Sequence, residues 1–328
     1  MSERRALILG ISGQDGSYLA ELLLEKGYEV WGVVRRSPTQ HYENLDGVRH
    51  RIELMQGDLL DQMTIVEALT WARPHELYNL AATSFVPASW HQPVITAQFT
   101  AVGVTSMLEA IRLVAPEVRL YQASSSEVFG ATTESPQSET TPFRPTNPYG
   151  AAKLYGHFMV AGYRERYGIH ASSGFAFNHE SPRRPLEFVT RKVTRAAAAI
   201  KLGVEQELVL GDLSATRDWG FSPDYVEAMW RMLQQDDPGD YVLATGESRS
   251  VRDLVTAAFA AVDLDPEEHL SVDESLVRPP DAVPLVGDPS KAARVLGWRR
   301  STSFESMIGA MVDADLELLR GAAPAPQP

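Results

Sequence analysis

The chain has 328 residues, of which 44% are hydrophobic and 22% charged, and 30 Lys and Arg against 43 Asp and Glu give a formal net charge of −13. This composition is typical of a folded globular protein, and the length predicts one large α/β domain or two unequal ones. The absence of cysteine excludes disulfide scaffolds, thiolate nucleophiles and sulfur-ligated metals, and the acidic balance argues against nucleic acid and anionic membranes as partners.

The first 125 residues alternate short β-branched runs with amphipathic helical patterns, as βαβ units around a parallel sheet do. We predict strands at Arg5–Gly10, Glu29–Val34, Ile52–Gln56, Leu77–Leu80 and Arg119–Ala123, and helices at Ser17–Lys26, Met63–Ala72 and Ile95–Val114. This order predicts a doubly wound α/β fold of the Rossmann type.

Residues 131–147 are rich in Thr, Ser, Pro and Asn, which predicts a long connection that covers a site. Beyond it we predict strands at His170–Phe177, Glu207–Leu210 and Asp240–Ala244, and helices at Pro148–Tyr167, Phe188–Leu202, Pro223–Gln235, Val251–Val262, Pro289–Leu296 and Phe304–Leu319. We therefore expect a nucleotide-binding domain at 1–178, a smaller, mostly helical substrate-binding domain at 179–320, and a disordered tail at 321–328.

The N-terminal apolar run ends after a handful of residues, too early for a signal peptide, and no run reaches the roughly 18 apolar residues of a membrane span. We expect a cytoplasmic protein without a membrane partner.

Three glycines, Gly10, Gly13 and Gly16, lie between the first strand and the first helix. This placement lets the backbone approach a pyrophosphate, whose charge is stabilised by the N–H groups of a helix N-terminus. An ordinary strand–helix turn is the alternative interpretation.

The second strand ends in Arg35, Arg36 and Ser37, where an NAD-binding fold usually places an acid for the ribose. Two guanidinium groups and a hydroxyl suit a 2′-phosphate, so we predict NADP(H) as the cofactor; a solvated arginine pair is the alternative. Asp58 and Leu59, after the third strand, are placed to cap the adenine edge.

Tyr149 and Lys153 are four residues apart on one helix, so both side chains lie on one face. We expect the ammonium to lower the pKa of the phenol, which would then take a proton from an alcohol as hydride leaves its carbon. Ser125 and Glu127 follow a strand end, where substrate-binding groups of open sheets gather, although Glu127 could also be a surface acid.

Residues 183–201 carry six Lys and Arg and one acid, Glu187. A basic segment in an acidic protein suits a nucleotide diphosphate, whereas a solvated basic helix is the simpler alternative. His179 beside Glu180 could suggest a metal site, but no second ligand stands at suitable spacing, so we expect no metal.

Several motifs together resemble the GDP-mannose 4,6-dehydratase family of extended short-chain dehydrogenases/reductases. They are Gly10-Ile-Ser-Gly-Gln-Asp-Gly-Ser-Tyr-Leu19, Arg35-Arg36-Ser37, Tyr78-Asn-Leu-Ala-Ala82, Ser124-Ser-Ser-Glu127, Tyr149-Gly-Ala-Ala-Lys153, Asn178-His-Glu-Ser-Pro-Arg-Arg184, Val189-Thr-Arg-Lys192, Arg217-Asp-Trp-Gly220 and Gly287-Asp-Pro-Ser-Lys291. The resemblance extends to about Leu319.

The resemblance implies oxidation at C4 of GDP-mannose by NADP⁺, loss of water across C5 and C6, and return of the hydride to C6. It implies Tyr149 as the base for O4, Glu127 as the base at C5 and then the acid for the C6 hydroxyl, and catalytic roles for Ser125 and Lys153. Implied cofactor residues are Gly10, Gly13, Gln14, Asp15, Gly16, Arg35, Arg36, Ser37, Asp58, Leu59, Leu80, Ala81, Ala82, Ser84, Tyr149, Lys153, His179 and Arg184. Implied substrate residues are Ser84, Ser125, Glu127, Asn178, Val189, Lys192, Arg217 and Arg278.

The chain departs from the family pattern at three places. Ser125 replaces the usual threonine; Phe221-Ser222-Pro223 replaces His-Ala-Lys; and Asp281 with Val283 replaces a glutamate and an aspartate. We expect the last two to lie in the smaller domain, where they bear on the identity of the sugar or base more than on the reaction. Alternatives are a dehydratase of another nucleotide sugar, a 4-keto-sugar reductase, or a non-catalytic NADP sensor; the family implies a homodimer or homotetramer.

Overall fold

A parallel β-sheet forms the centre of the computed structural model, which describes residues 4–36, 42–273, 275 and 284–322. The strands in chain order are β1 (Arg5–Leu9), β2 (Glu29–Val34), β3 (Ile52–Gln56), β4 (Glu76–Asn79), β5 (Arg119–Ala123), β6 (Ala171–Ala176), β7 (Asn178–Glu180), β8 (Leu208–Leu210), β9 (Thr216–Arg217), β10 (Trp219–Phe221), β11 (Tyr241–Leu243), β12 (Arg249–Ser250) and β13 (Leu270–Val272). The sheet has the order β11-β6-β5-β4-β1-β2-β3, and all its neighbours pair in parallel. The reversal of strand order beside β1 confirms the predicted doubly wound fold.

The helices cover both faces of this sheet. They are α1 (Gln14–Glu25), α2 (Gln62–Ala72), α3 (Val86–His91), α4 (Pro93–Ala97), α5 (Gly103–Val114), α6 (Pro148–Tyr167), α7 (Val189–Lys201), α8 (Ser222–Leu233), α9 (Val251–Ala260) and α10 (Phe304–Ala322). A π-helical turn, Gln98–Val102, joins α4 to α5.

The strand side chains divide between two cores because successive residues of a strand point to opposite faces. Ile8, Tyr78 and Tyr121 pack against α1 and α8, whereas Leu7 and Leu77 pack against α2, α5 and α6 on the other face. A third core lies between α7, α9 and α10. The carboxyl edge of the sheet is left to the loops, where ligands of this fold bind.

Most predicted elements are present, with differences at short segments. The predicted helix at 289–296 contains a π-helical turn, Ala292–Leu296, and the small strand pairs β7–β10, β8–β13 and β9–β12 were not predicted. β11 joins the central sheet although it follows residue 178, where we placed the domain boundary.

The stretch Pro93–Val114 is long and apolar enough to span a membrane, with a mean hydropathy of 1.4. In this fold 56% of it is buried, and its side chains form part of the core between α2 and α6. In this structure the stretch therefore packs as a helical segment of the protein core.

Candidate active site

In the glycine turn between β1 and α1, the backbone at Gly16 packs closely against the backbone of Gly10 and Ile11. A Cβ at Gly16 would lie 2.3 Å from the carbonyl oxygen of Gly10, so no side chain fits there. Gly13 is the N-cap of α1 and has no side-chain capping bond. The first N–H groups of α1 are therefore arranged as an anion site of the kind that holds phosphates.

A cleft of about 1040 Å³ runs from this turn along the carboxyl ends of β1 to β4. Its walls bring together half of the predicted cofactor residues: Gly10, Gly13, Arg35, Arg36, Asp58, Leu59, Leu80, Ala81 and Ala82. The Arg35 guanidinium lies 5.4 Å from the ring centre of Phe99, which fixes it at the rim. Asp58 accepts a bond from the backbone N–H of Leu60 at 3.0 Å. Ser84 is exposed and does not line this cleft, and Ser37 lies outside the described residues.

Asp15 and His179 form a partly buried pair that joins the glycine turn to the segment after β6. Asp15 Oδ2 lies 2.7 Å from His179 Nε2, and His179 Nδ1 lies 2.6 Å from the carbonyl of Phe177. Burial raises the pKa of Asp15, but the charge and hydrogen bond of His179, with bonds from Ser222 and Gln14, hold the net pKa at about 2. Burial lowers the pKa of His179, yet Asp15 raises it above its ordinary value overall.

Ser222 also contacts this pair. Its side chain is fully buried at the start of α8, and its hydroxyl donates to Asp15 Oδ1 at 2.8 Å. The departure at 221–223 therefore contributes to the packing of α8 against α1 beneath the glycine turn. Asp281 and Val283 lie outside the described residues.

The four predicted catalytic residues, Ser125, Glu127, Tyr149 and Lys153, meet at the carboxyl end of β5. Ser125 caps the short turn that carries Glu127, and hydrogen bonding with Ser125 acts on the phenol of Tyr149. Tyr149 and Lys153 lie in the first turns of α6, and the Lys153 ammonium donates to the carbonyl of Ala123 at 2.7 Å. A serine hydroxyl, a phenol, an ammonium and a carboxylate thus lie within one site.

The pKa values in this group are governed by burial. Burial raises the pKa of Tyr149, hydrogen bonding with Ser125 opposes the rise, and the charge of Glu127 adds to it. Burial also lowers the pKa of Lys153 to about 8. The expected lowering of the phenol pKa by Lys153 is not found, because the ammonium is 5.6 Å from the ring centre and bonds to a carbonyl.

Asn147 is a site residue that the sequence reasoning missed. It is the N-cap of α6, and its side-chain amide also donates to Glu127 Oε2 at 2.7 Å. An Asn immediately before a Pro at a predicted helix start is a capping signal. The contact with Glu127, twenty positions earlier, has no signal in the local sequence.

The arginines of the basic segment are largely engaged within the protein. Arg183 bonds to Glu21 at 2.6 Å, Arg184 lies 3.1 Å from Glu180, and Arg191 bonds to the fully buried Asp315 at 2.7 Å. These ion pairs reduce the net positive charge that the three residues offer to a diphosphate, and the role of segment 183–201 in binding one stays a prediction. Arg184 still lies near enough to Tyr149 to lower its pKa.

The remaining predicted substrate residues lie on the helix and strands beyond β6. Val189 opens α7 and is partly exposed, while the Lys192 ammonium donates to the carbonyl of Val209 at 2.7 Å. Asn178 and Arg217 lie on short strands, where Asn178 pairs with Trp219. Arg278 lies outside the described residues.

Asp218, which the sequence reasoning also missed, lies beside Arg217 and is fully buried. It accepts bonds from the backbone N–H groups of Thr245, Gly246 and Gly287. These bonds tie the loop after β11 to the 287 segment and to the strand that carries Arg217.

No group of three or more potential metal ligands occurs in the described ranges. His179 is engaged by Asp15, and Glu180 bonds to Thr190 and Arg184 on another side. His179 and Glu180, although adjacent in sequence, therefore belong to two different hydrogen-bond networks.

Comparisons with known proteins identify the family of this chain. The profile of the family described as GDP-mannose 4,6 dehydratase matches residues 7–311. A GDP-mannose 4,6-dehydratase of Sinorhizobium fredii is 48% identical over 98% of this chain and 99% of its own length. Among solved structures, the UDP-glucose 4-epimerase of Thermus thermophilus in complex with NAD is 27% identical, with a TM-score of 0.83 over 97% of this chain and all of its own. The fold of RMD from Pseudomonas aeruginosa complexed with NADPH is similar, with a TM-score of 0.82, 21% identity, and coverage of 96% and 98%. The chain belongs to the GDP-mannose 4,6-dehydratase family of lyases, whose members use a nicotinamide cofactor.

Proposed function

We propose that this chain converts GDP-mannose into GDP-4-keto-6-deoxymannose and water, with NADP as a cofactor regenerated in each turnover. The observation that carries the proposal is the carboxylate of Glu127 beside the Ser125, Tyr149 and Lys153 group, at the end of β5. A simple reductase or epimerase needs the phenol and the ammonium but has no use for a further base. Elimination of water needs one.

The cleft fits a dinucleotide. The turn at Gly16 leaves room for phosphates at the N-terminus of α1, and Arg35 and Arg36 line the rim at the end of β2. Two guanidinium groups favour a 2′-phosphate over a bare ribose, and so NADP over NAD. The glycine turn, Arg35 and Arg36 would hold NADP⁺, which would supply the hydride acceptor for C4 and, once reduced, the hydride donor for C6.

The residues of the chain move the protons. Tyr149 takes the O4 proton, with the Ser125 hydroxyl as its hydrogen-bond partner. Because burial favours the neutral phenol, the tyrosinate depends on nearby cations, and Arg184 already lowers its pKa. With a pKa of about 8, Lys153 can carry its charge at neutral pH and still exchange a proton.

Glu127 serves the elimination. A ketone at C4 acidifies the C5 proton, which the carboxylate takes; the resulting acid gives this proton to the leaving C6 hydroxyl, so water departs. Hydride at C6 and a solvent proton at C5 then complete the product, and this proton balances the O4 proton that Tyr149 releases to solvent. One carboxyl group acts as base and then as acid.

We assign the nucleotide-sugar end to the part of the chain beyond β6. The proposed contacts are Asn178, Val189, Lys192, Arg217 and Arg278, together with the exposed Ser84. Among them, Lys192 and Arg217 supply the positive charge that a diphosphate requires.

Replacement of Glu127 by Gln tests the assignment. The variant should oxidise C4, seen as stoichiometric reduced nicotinamide on the enzyme, yet release no 6-deoxy product. Glu134→Gln is the matched control, because it makes the same substitution at an exposed carboxylate in the following loop, and it should behave as wild type. If Glu127→Gln dehydrates the substrate at the wild-type rate, the base at C5 is a different residue.

A panel of GDP-, UDP-, CDP- and dTDP-sugars with catalytic NADP⁺ identifies the substrate. Stoichiometric consumption of NADPH would indicate a reductase instead.

We also propose a cytoplasmic homodimer or homotetramer. Exposed apolar side chains lie along the Pro93–Val114 stretch and α6: Val94, Val102, Leu113, Tyr155, Phe158 and Tyr167. Exposed apolar side chains on neighbouring elements are typical of a subunit interface. Thr105 and Tyr155, 3.1 Å apart, link the two elements into one face.

A further inference from the structure

The side chain of Asn147 is held at both ends. Its Oδ1 accepts from the backbone N–H of Gly150 at 2.8 Å, which caps α6, and its Nδ2 donates to Glu127 Oε2 at 2.7 Å. A backbone N–H can only donate and a carboxylate oxygen accepts, so these two partners fix which end of the amide is which. The amide thus links Glu127 to the helix that carries Tyr149 and Lys153.

The backbone around this link is tightly packed. A Cβ at Gly150 would lie 2.5 Å from the carbonyl oxygen of Glu127, so the start of α6 lies directly against the turn of residues 126–128. Ser125 holds the same turn from its other side, where its hydroxyl accepts from the Glu127 N–H at 3.3 Å. The main chain of Glu127 is therefore fixed, and Asn147 fixes the end of its side chain.

We infer that Asn147 is a positioning residue for Glu127, which keeps Oε2 as an acceptor and leaves Oε1 to carry the proton. The inference rests on the proposed role of Glu127. The Nδ2 group of Asn147 can only donate, so a proton on Oε2 would face another donor. No hydrogen bond from the described residues reaches Oε1.

This arrangement suits a group that is first a base and then an acid. The bond from Nδ2 to Oε2 persists in both protonation states, because Oε2 accepts as a carboxylate oxygen and as the carbonyl oxygen of the acid. The carboxyl plane therefore keeps its direction between proton removal at C5 and proton delivery at C6. Positioning of this kind accounts for large factors in rate, since small misplacements of a reacting group are costly.

Asn147→Ser separates the two tasks of the side chain. Serine is a good N-cap and keeps the bond to Gly150, but it has no amide to reach Glu127. We expect an unfolding temperature close to wild type, an unchanged rate of C4 oxidation, and elimination slower by about 10- to 100-fold. The exchange of the C5 proton with deuterated solvent should slow by the same factor, with little change in KM.

Asn147→Asp gives a second readout. It keeps the capping acceptor and replaces the donor by a carboxylate beside Glu127, so ionised Glu127 is disfavoured and the acid limb of the pH–rate profile for elimination moves to higher pH. A purely structural cap would leave this limb in place. If the serine variant fails to fold, the profile of the aspartate variant decides the question.

The outcomes separate the two proposals. Normal dehydration by Glu127→Gln overturns the role of Glu127 itself. If Glu127→Gln stops after C4 oxidation but Asn147→Ser eliminates at the wild-type rate and Asn147→Asp keeps the wild-type pH profile, the positioning role of Asn147 is wrong and the proposed function stands.

Discussion

The Asp15–His179 pair gives a prediction whose size follows from the structure. The folded protein lowers the pKa of Asp15 from 3.8 to about 2. A tenfold change in proton affinity corresponds to about 1.4 kcal/mol, so the native surroundings favour the carboxylate by about 2 kcal/mol. Asp15→Asn resembles the neutral acid in shape and should therefore lose about 2 kcal/mol of unfolding free energy near neutral pH.

The pH dependence has two limbs. The lowered pKa of Asp15 gives stabilisation that is present above the unfolded value of 3.8 and is lost as the pH falls through about 2. The raised pKa of His179 gives stabilisation that is complete below the unfolded value of 6.5 and is lost as the pH rises through the folded pKa. The difference between wild type and Asp15→Asn should thus be largest at about pH 6 and smaller at about pH 9.

Urea unfolding at several pH values measures this difference, and NMR titration of the imidazoles measures its cause. The chain has 8 histidines, and His179→Gln identifies the signal of His179 by its loss. In Asp15→Asn the pKa of His179 should fall below its ordinary value, because burial and Arg184 then dominate. Ser222→Ala, which removes one bond but keeps the pair, should leave the titration of His179 nearly unchanged. An unaltered His179 pKa in Asp15→Asn, or a loss below about 0.5 kcal/mol, would refute the reasoning.

Three further results are expected. Arg35→Ala combined with Arg36→Ala should abolish the preference for NADP over NAD in calorimetric binding; an equal loss of affinity for both cofactors would mean that the pair does not contact the 2′-phosphate. Asp315→Ala should lose about 3–5 kcal/mol of unfolding free energy in urea, because it leaves the Arg191 guanidinium buried without its carboxylate; a loss under about 1 kcal/mol would contradict this. Val102→Asp places a charge on the exposed face of the Pro93–Val114 stretch and should yield a folded monomer by light scattering, whereas an unchanged oligomer would place the interface elsewhere.

The pattern of apolar and polar residues along the sequence predicted the strands, but not the pairings between strands that are distant in sequence. The predicted bounds of β2, β3 and β5 agree residue for residue with the structure, since each is a short run with apolar residues between polar or turn-forming segments. The six-residue helix α3 escaped prediction because it is too short for a periodic pattern and leaves Trp90 exposed. The entry of β11 into the sheet depends on pairing with β6, a contact that no local pattern encodes.

In the site, too, features set by local spacing were predicted, whereas contacts between distant segments were not. The four-residue spacing of Tyr149 and Lys153 placed them correctly on one helix. The contact between Asn147 and Glu127 could not be predicted, because it depends on how closely the start of α6 packs against the turn after β5. The pKa of Tyr149 could not be predicted either, since it is set mainly by burial.

Net charge along the sequence proved a poor guide to the charge that a ligand meets. Residues 183–201 are basic in sequence, but Arg183, Arg184 and Arg191 are paired with Glu21, Glu180 and Asp315, of which Glu21 and Asp315 are distant in sequence. The pair of Arg183 joins the loop before α7 to α1, and the pair of Arg191 joins α7 to α10. Arg191 also donates to the carbonyl of Arg184, which helps to keep Arg184 near Tyr149. The acids that make the protein anionic therefore include those that position the catalytic surroundings, and we expect a diphosphate to be held mainly by cations outside these pairs.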